Sequence, residues 1–243
     1  MKRLFDIAVS IVVLALLSPL LVVVAFLIWL GDRRSPFYIA SRMGRNHKPF
    51  RMVKFRSMRI GADKSGVDST SKNDNRITPV GAFVRKYKVD ELPQLWNVLK
   101  GDMSLVGPRP NVEREVRLYS IDESYLLDAR PGITDLASIV FADEGDILAD
   151  EPDPDIAYNQ LIRPGKSRLG LFYVKHRTLG IDLAALRLTV MNSLDREKAL
   201  AGVSKLLEAH GADADLAQLA LRKAPLVPSA PPGLDHIVTS RDG

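Results

Sequence analysis

From Ile7 to Leu30 the chain is apolar apart from Ser10 and the pair Ser18-Pro19. A helix rises 1.5 Å per residue, so about 20 apolar residues cross the hydrocarbon core of a bilayer. The run is long enough to do so, and three arrangements compete for it. A cleaved signal peptide also starts basic, as Met1-Lys2-Arg3 does. Its apolar core is only about 7–15 residues, however, and no small-x-small cleavage pattern follows Leu30. A straight spanning helix is the default, because single prolines are common in such helices. A re-entrant hairpin is the third arrangement. Pro19 lacks an amide hydrogen and kinks a helix, and Ser18 can bond back to a carbonyl of its own helix. Lys2 and Arg3 precede the run and Arg33 and Arg34 follow it. A span would place one basic cluster on each side of the membrane, against the usual asymmetry. A hairpin keeps both in one headgroup layer.

The remainder of the 243 residues suffices for one sizeable domain plus appendages. The net charge of +5 suits anionic headgroups or a nucleotide, although an ordinary solvated surface can carry it too. The chain has no cysteine, which excludes disulfide scaffolds, thiolate zinc sites and cysteine nucleophiles. His47, His176, His210 and His236 are too far apart in sequence to form a metal motif.

Chemistry concentrates between Arg76 and Pro110, where the carboxylate pair Asp90-Glu91 lies between the arginine-bearing segments AFVRK and VGPRP. Guanidinium forks match phosphate oxygens, and a carboxylate can attack phosphorus or hold a divalent metal. Acidic residues also cap helix starts, and surface arginines often do little, so no single residue decides the matter. Thr78 to Gly81 reads as the entry to a helix continuing to Tyr87. Asp90 reads as the N-cap of a second helix, with Pro93 in its first turn and Gly101 at its end. Leu92, Leu95, Trp96 and Leu99 form its expected core stripe.

Phe37–Ala40 and Phe50–Met58 read as strands around a basic turn, with Lys54 and Arg56 on one strand face. Gly61 to Asn75 reads as a mobile loop, Pro131 to Thr134 as a turn and Ala137 to Phe141 as a strand. Asn111–Tyr119, Glu123–Ala129, Ala157–Ile162, Leu169–Leu179, Leu183–Leu194 and Leu200–Leu221 read as helices, the last broken near Gly211. The proline-rich tail from Lys223 reads as disordered.

The combined motifs resemble a known family. KRLFDI at the start, Ser18-Pro19 in the apolar run, KFRSM at Lys54–Met58, RITPVGAFVRK, DELPQLWNVLKGDMSLVGPRP and PGIT at Pro131–Thr134 together resemble the bacterial sugar transferases. These are monotopic polyprenol-phosphate phosphoglycosyltransferases, and the resemblance covers residues 1 to 195. It implies an enzyme that transfers a sugar-1-phosphate from a UDP-sugar to membrane polyprenol phosphate, undecaprenyl phosphate in bacteria. UMP is released and glycan assembly begins. It implies Asp90 as nucleophile and Glu91 as its metal-binding and acid/base neighbour, with Mg2+ held by Asp90 and Glu91. Lys54, Arg56, Arg85 and Arg109 are the expected substrate-binding cations. Ser18 and Pro19 are the expected break of a re-entrant membrane helix.

The fold expected from these readings is α+β and mostly helical. It comprises a re-entrant helix-break-helix over 1–32, a catalytic domain of amphipathic helices and short strands over 33–200, and a C-terminal helix with a proline-rich tail over 201–243. The resemblance further implies the inner membrane, a cytoplasmic catalytic domain, contact with membrane lipids, a homodimer, no nucleic-acid partner and the minimal form of the family. A catalytically inactive, membrane-tethered scaffold for glycan-assembly enzymes is the alternative, and the intact dyad and both arginines argue against it. Many members read GWAQVNGR after PGIT, whereas this chain reads DLASIVFADEGDIL. The donor sugar therefore does not carry over.

Overall fold

A computed structural model describes residues 1–62 and 74–240, so most of the loop expected at Gly61–Asn75 lies outside the described residues. The fold is mostly helical α+β with two two-stranded sheets. Helix α1 (Lys2–Asp32) leads into an antiparallel hairpin of β1 (Phe37–Met43) and β2 (Pro49–Phe55). α2 (Pro79–Lys86) is followed by a 3-10 turn (Val89–Glu91), α3 (Gln94–Lys100) and β3 (Ser104–Val106). The short α4 (Glu113–Val116) and α5 (Ile121–Ser124) precede β4 (Gly132–Thr134), which pairs parallel with β3. α6 (Leu136–Val140), α7 (Glu144–Ile147) and α8 (Pro154–Ala157) come next. A π-turn (Tyr158–Ile162) runs directly into α9 (Arg163–His176), and α10 (Leu179–Leu194), α11 (Arg196–Ala209) and α12 (Ala214–Leu221) complete the body.

One large core joins β2, α3, β3, α6 and α9–α12. Leu136, Ile139 and Leu169 lie at its centre, and α11 and α12 add Val203, Leu207 and Ala217. Helix α1 lies along this body. Its first half packs Phe5, Val9 and Val13 on the main core. Its second half buries Val24 and Ile28 against Phe55 and Val84 in a smaller cluster. Both ends are tied to the same body. Lys2 Nζ meets Asp182 at 2.6 Å, Arg3 donates to the C-terminal carbonyls of α3 (Val98 O, 2.6 Å; Leu99 O, 3.0 Å), and buried Asp6 accepts from Ser104 Oγ at 2.8 Å. At the far end Asp32 receives both terminal nitrogens of Arg56, at 2.5 and 2.7 Å. The opposite side of α1 exposes Ile11, Val12, Leu16, Val22, Val23 and Phe26. An apolar stripe that long on a water-facing surface normally marks a contact with lipid or another protein.

Several expectations change. The helix-break-helix expected over 1–32 is one helix, α1, which runs through Ser18 and Pro19. Pro19 has no N–H for the carbonyl four residues back, that of Ala15, and Ser18 Oγ donates to that oxygen at 2.8 Å. Ala137–Phe141 is helical rather than extended, because Asp135 caps α6 by accepting from Ser138 N at 2.6 Å, and Leu136, Ile139 and Val140 enter the core at helical spacing. Pro131–Thr134 supplies a strand rather than a turn. A Cβ on Gly132 would stand 2.1 Å from Gly107 N, so only two glycines allow β4 and β3 to approach this closely. Trp96 is 57% exposed and outside the core. α3 instead turns Asn97 inward, where Nδ2 donates to Arg51 O (2.7 Å) and Oδ1 accepts from Val53 N (2.9 Å), pinning the helix to β2. The proline-rich tail, expected to be disordered, docks on the body, where Ser229 N donates to Gln160 O at 3.1 Å.

Candidate active site

The site forms where β2, the turn after α2 and the loop after β3 converge. Thr78 caps α2 by accepting from Gly81 N at 2.9 Å, and a Cβ on Gly81 would stand 1.8 Å from Ser57 O. α2 is thereby pressed against Ser57, and Arg85, one turn on, donates to Ser57 Oγ at 3.4 Å. Lys88 takes the left-handed conformation (φ 56°), ending α2 and starting the 3-10 turn. Asp90 therefore sits on that turn and not at the N-cap of α3, whose first residue is Gln94 and whose cap position is Pro93. The expected N-cap role of Asp90 fails for that reason.

Asp90 is 7% exposed. Burial and the adjacent Glu91 push its carboxyl above the ordinary carboxylate range, against the opposing fields of Lys54, Arg85 and Lys88. Among the described residues no side chain hydrogen-bonds it, so its oxygens are free to act. Glu91 is the opposite case. Arg109 grips it with both terminal nitrogens, one of them Nη1 to Oε2 at 3.2 Å, and Lys54 Nζ lies 3.5 Å from Oε1. Burial pushes the Glu91 carboxyl up, but Arg109 and Lys54 outweigh it and hold the group well below the carboxylate range. Burial and the neighbouring Arg109 pull Lys54 down from 10.5 to about 8, with Glu91 and Asp90 opposing.

The structure thus gathers Asp90, Glu91, Lys54 and Arg109, with Arg85 beside them. Arg56 is placed elsewhere: it holds Asp32 and donates from Nε to Ser35 O at 2.9 Å, fastening the end of α1. A strand face shared with Lys54 suggested a shared role, but the packing of α1 captures Arg56. Ser18 and Pro19 lie near the middle of α1 and are exposed.

Asp90 and Glu91 are the local oxygen donors for a cation, and no group of three or more His, Asp or Glu side chains gathers among the described residues. Two carboxylates fit magnesium, which takes one or two from a protein and completes its octahedron with water and phosphate oxygens.

Arg109 also lines a cleft of about 480 Å³, measured with its open mouth, together with Ser138, Tyr158, Arg163 and Lys166. Lys166 pairs with Glu144, while Arg163 is locked to buried Glu123 (Nε to Oε1 2.9 Å, Nη2 to Oε2 2.5 Å). Ser57, Lys88 and this cleft were not among the residues expected from sequence. A basic residue two positions before the dyad was a usable signal for Lys88. Nothing local marked Tyr158, Arg163 or Lys166.

The sequence model of a family described as bacterial sugar transferase matches residues 1–196. The chain is 37% identical over 214 residues to an undecaprenyl-phosphate galactose phosphotransferase of Salmonella typhimurium, covering 82% of this chain and 41% of that protein. It is 36% identical over 202 residues to a UDP-glucose:undecaprenyl-phosphate glucose-1-phosphate transferase of Klebsiella pneumoniae, again covering 82% of this chain and 41% of that one. It is 40% identical over 153 residues to the exopolysaccharide production protein ExoY of Rhizobium meliloti, covering 57% and 68%. The chain therefore spans about two fifths of the length of the first two relatives.

Proposed function

The chain belongs to the bacterial sugar transferase family, and from that premise we propose that it transfers a sugar-1-phosphate from a UDP-sugar to undecaprenyl phosphate, releasing UMP. The observation that carries this reading is the pairing of opposites at the dyad: a buried, unbonded Asp90 next to a Glu91 fixed by Arg109 and Lys54. One carboxylate is left reactive while the cations that will receive phosphate are already in position.

The reaction proceeds in two displacements. An Asp90 oxygen attacks the phosphorus that bears the sugar, and the bond from that phosphorus to the bridging oxygen breaks. UMP departs with the electron pair. A phosphate oxygen of undecaprenyl phosphate then attacks the same phosphorus and expels Asp90 as carboxylate. Arg85, Arg109 and Lys54 neutralise the phosphate oxygens and hold the phosphorus in line. Asp90 and Glu91 would hold magnesium if it binds here, and its charge would add to the neutralisation of the diphosphate. The donor nucleotide occupies the cleft beyond Arg109, with Lys166 and Tyr158 on its far wall. The two transferase relatives are named for galactose and for glucose, so the sugar of this chain is left unassigned.

The proposed membrane placement rests on α1. Its ends are bonded to one body, at Asp182 and at Arg56, which supports a placement of both on the same side of a membrane. The exposed apolar stripe enters one leaflet, Trp29 and Arg33 stack at its exit (4.4 Å), and the body faces the cytoplasm of the inner membrane. Exposed Phe83, Tyr87 and Trp96 near the dyad suit the headgroup layer. A scaffold without catalysis has no use for an unpaired buried carboxylate. The test is UMP release with magnesium, a short polyprenol phosphate and a panel of UDP-sugars. Asp90→Asn lowers release by about a thousandfold or more while expression and detergent extraction stay normal. Wild-type rates in that variant end the nucleophile assignment, and no release by the parent chain from any donor ends the transferase reading.

A further inference from the structure

Pro164 lies in the first turn of α9 and cannot donate to the carbonyl four residues back, that of Gln160. The helix responds with a π-turn over Tyr158–Ile162, a distortion found often at functional sites. The freed Gln160 oxygen accepts from Ser229 N at 3.1 Å, a donor from the proline-rich tail. The Gln160 side chain donates to Val238 O at 2.8 Å, and Val238 itself is 1% exposed. Between these two ties Pro232 O accepts from Ser120 Oγ at 2.5 Å. Ser120 caps α5, whose Glu123 holds Arg163 and, through Oε1, Ser167 Oγ at 2.6 Å. Gly233 takes positive φ (79°), and a Cβ there would stand 2.8 Å from Ser120 Oγ. The tail therefore grips both elements that support the wall of the cleft, the π-turn carrying Tyr158 and the capped turn carrying Glu123. These tail residues lie beyond the family match, which ends at residue 196.

We infer that residues 223–240 are a strap that positions Tyr158 and Arg163 in the cleft and thereby sets affinity for the sugar-nucleotide donor. The inference rests on the cleft being the donor site. The bonds of the strap fall on Gln160 and Ser120 rather than on the dyad, so its effect falls on donor binding and leaves the chemical step alone.

The experiment compares the full chain with a chain ending at Arg222 and with the full-length variants Val238→Asp and Gln160→Ala. Donor KM, polyprenol-phosphate KM and kcat are measured by UMP release. A displaced wall raises the donor KM about tenfold, with kcat and the lipid KM within about twofold of the parent. A strap that merely stabilised the fold would lower the active fraction, and hence kcat, with donor KM unchanged. That result overturns the inference, as does an equal rise in both KM values. Hydrogen exchange across residues 158–163 provides a readout that needs no turnover. Those amides exchange slowly in the full chain and faster in Val238→Asp. Unchanged exchange refutes the strap, whereas faster exchange in a chain that releases no UMP refutes only the transferase reading.

Discussion

Lys54 offers a test in which pH separates its charge from that of the arginines. Its ammonium is pulled down to about 8 by burial and by Arg109, whereas arginine stays protonated far above that. If the charged form is what receives donor phosphate, kcat/KM for the donor must fall as pH rises through about 8, because kcat/KM follows the ionisation of the free enzyme. At pH 9 about a tenth of the sites carry the charge, so kcat/KM lies about tenfold below its plateau. The acid side has the opposite sign. Asp90 must be ionised to attack, and burial raises its carboxyl, so activity is lost on acidification at a pH above the ordinary carboxylate range. The assay is UMP release at donor concentrations below KM, from pH 5 to pH 9.5. Lys54→Arg keeps a cation at the same strand position, and its profile stays level through pH 9.5. The reasoning is refuted if the parent profile is level to pH 9.5, or if Lys54→Arg keeps the same alkaline fall.

Two further outcomes test the frame around the site. Glu123→Ala leaves buried Arg163 unpaired, which costs about 3–5 kcal/mol and lowers Tm by roughly 6–20 °C; a change under 2 °C in differential scanning fluorimetry contradicts the buried pairing. A cysteine inserted after Met1 and one at Ser35 both react with an impermeant maleimide in inside-out vesicles and not in right-side-out ones. Labelling of the two from opposite faces contradicts the one-sided placement of α1.

The motif around Asp90-Glu91 was legible because chemistry-bearing residues there are close in sequence. Its local geometry was less so. Asp-Glu-Leu-Pro reads as a capped helix start, yet left-handed Lys88 inserts a separate turn and moves the start of α3 to Gln94. The strands and most helices followed their patterns. The segment Ala137–Phe141 did not, since a cap at Asp135 and core contacts outweigh the strand preference of Ile139 and Val140. Arg56 and Lys54 share a strand face but divide between two partners, and only the course of α1 reveals that. The cleft was hidden because it assembles from Arg109, Ser138, Tyr158 and Lys166, which no sequence spacing relates. The tail composition reads as disorder, while its anchor is a carbonyl that Pro164 leaves open.

The anchoring of α1 at both ends has a practical consequence for handling the protein. Membrane segments are commonly trimmed to obtain a soluble catalytic fragment. Here excision of residues 1–32 would strip Asp182 of the Lys2 ammonium, Ser104 of its carboxylate acceptor and Arg56 of Asp32, and would uncover Phe55 and Val84. The hydrophobic segment thus serves as a structural keystone as well as a tether, and detergent or nanodisc preparations of the intact chain are the appropriate material for biochemistry.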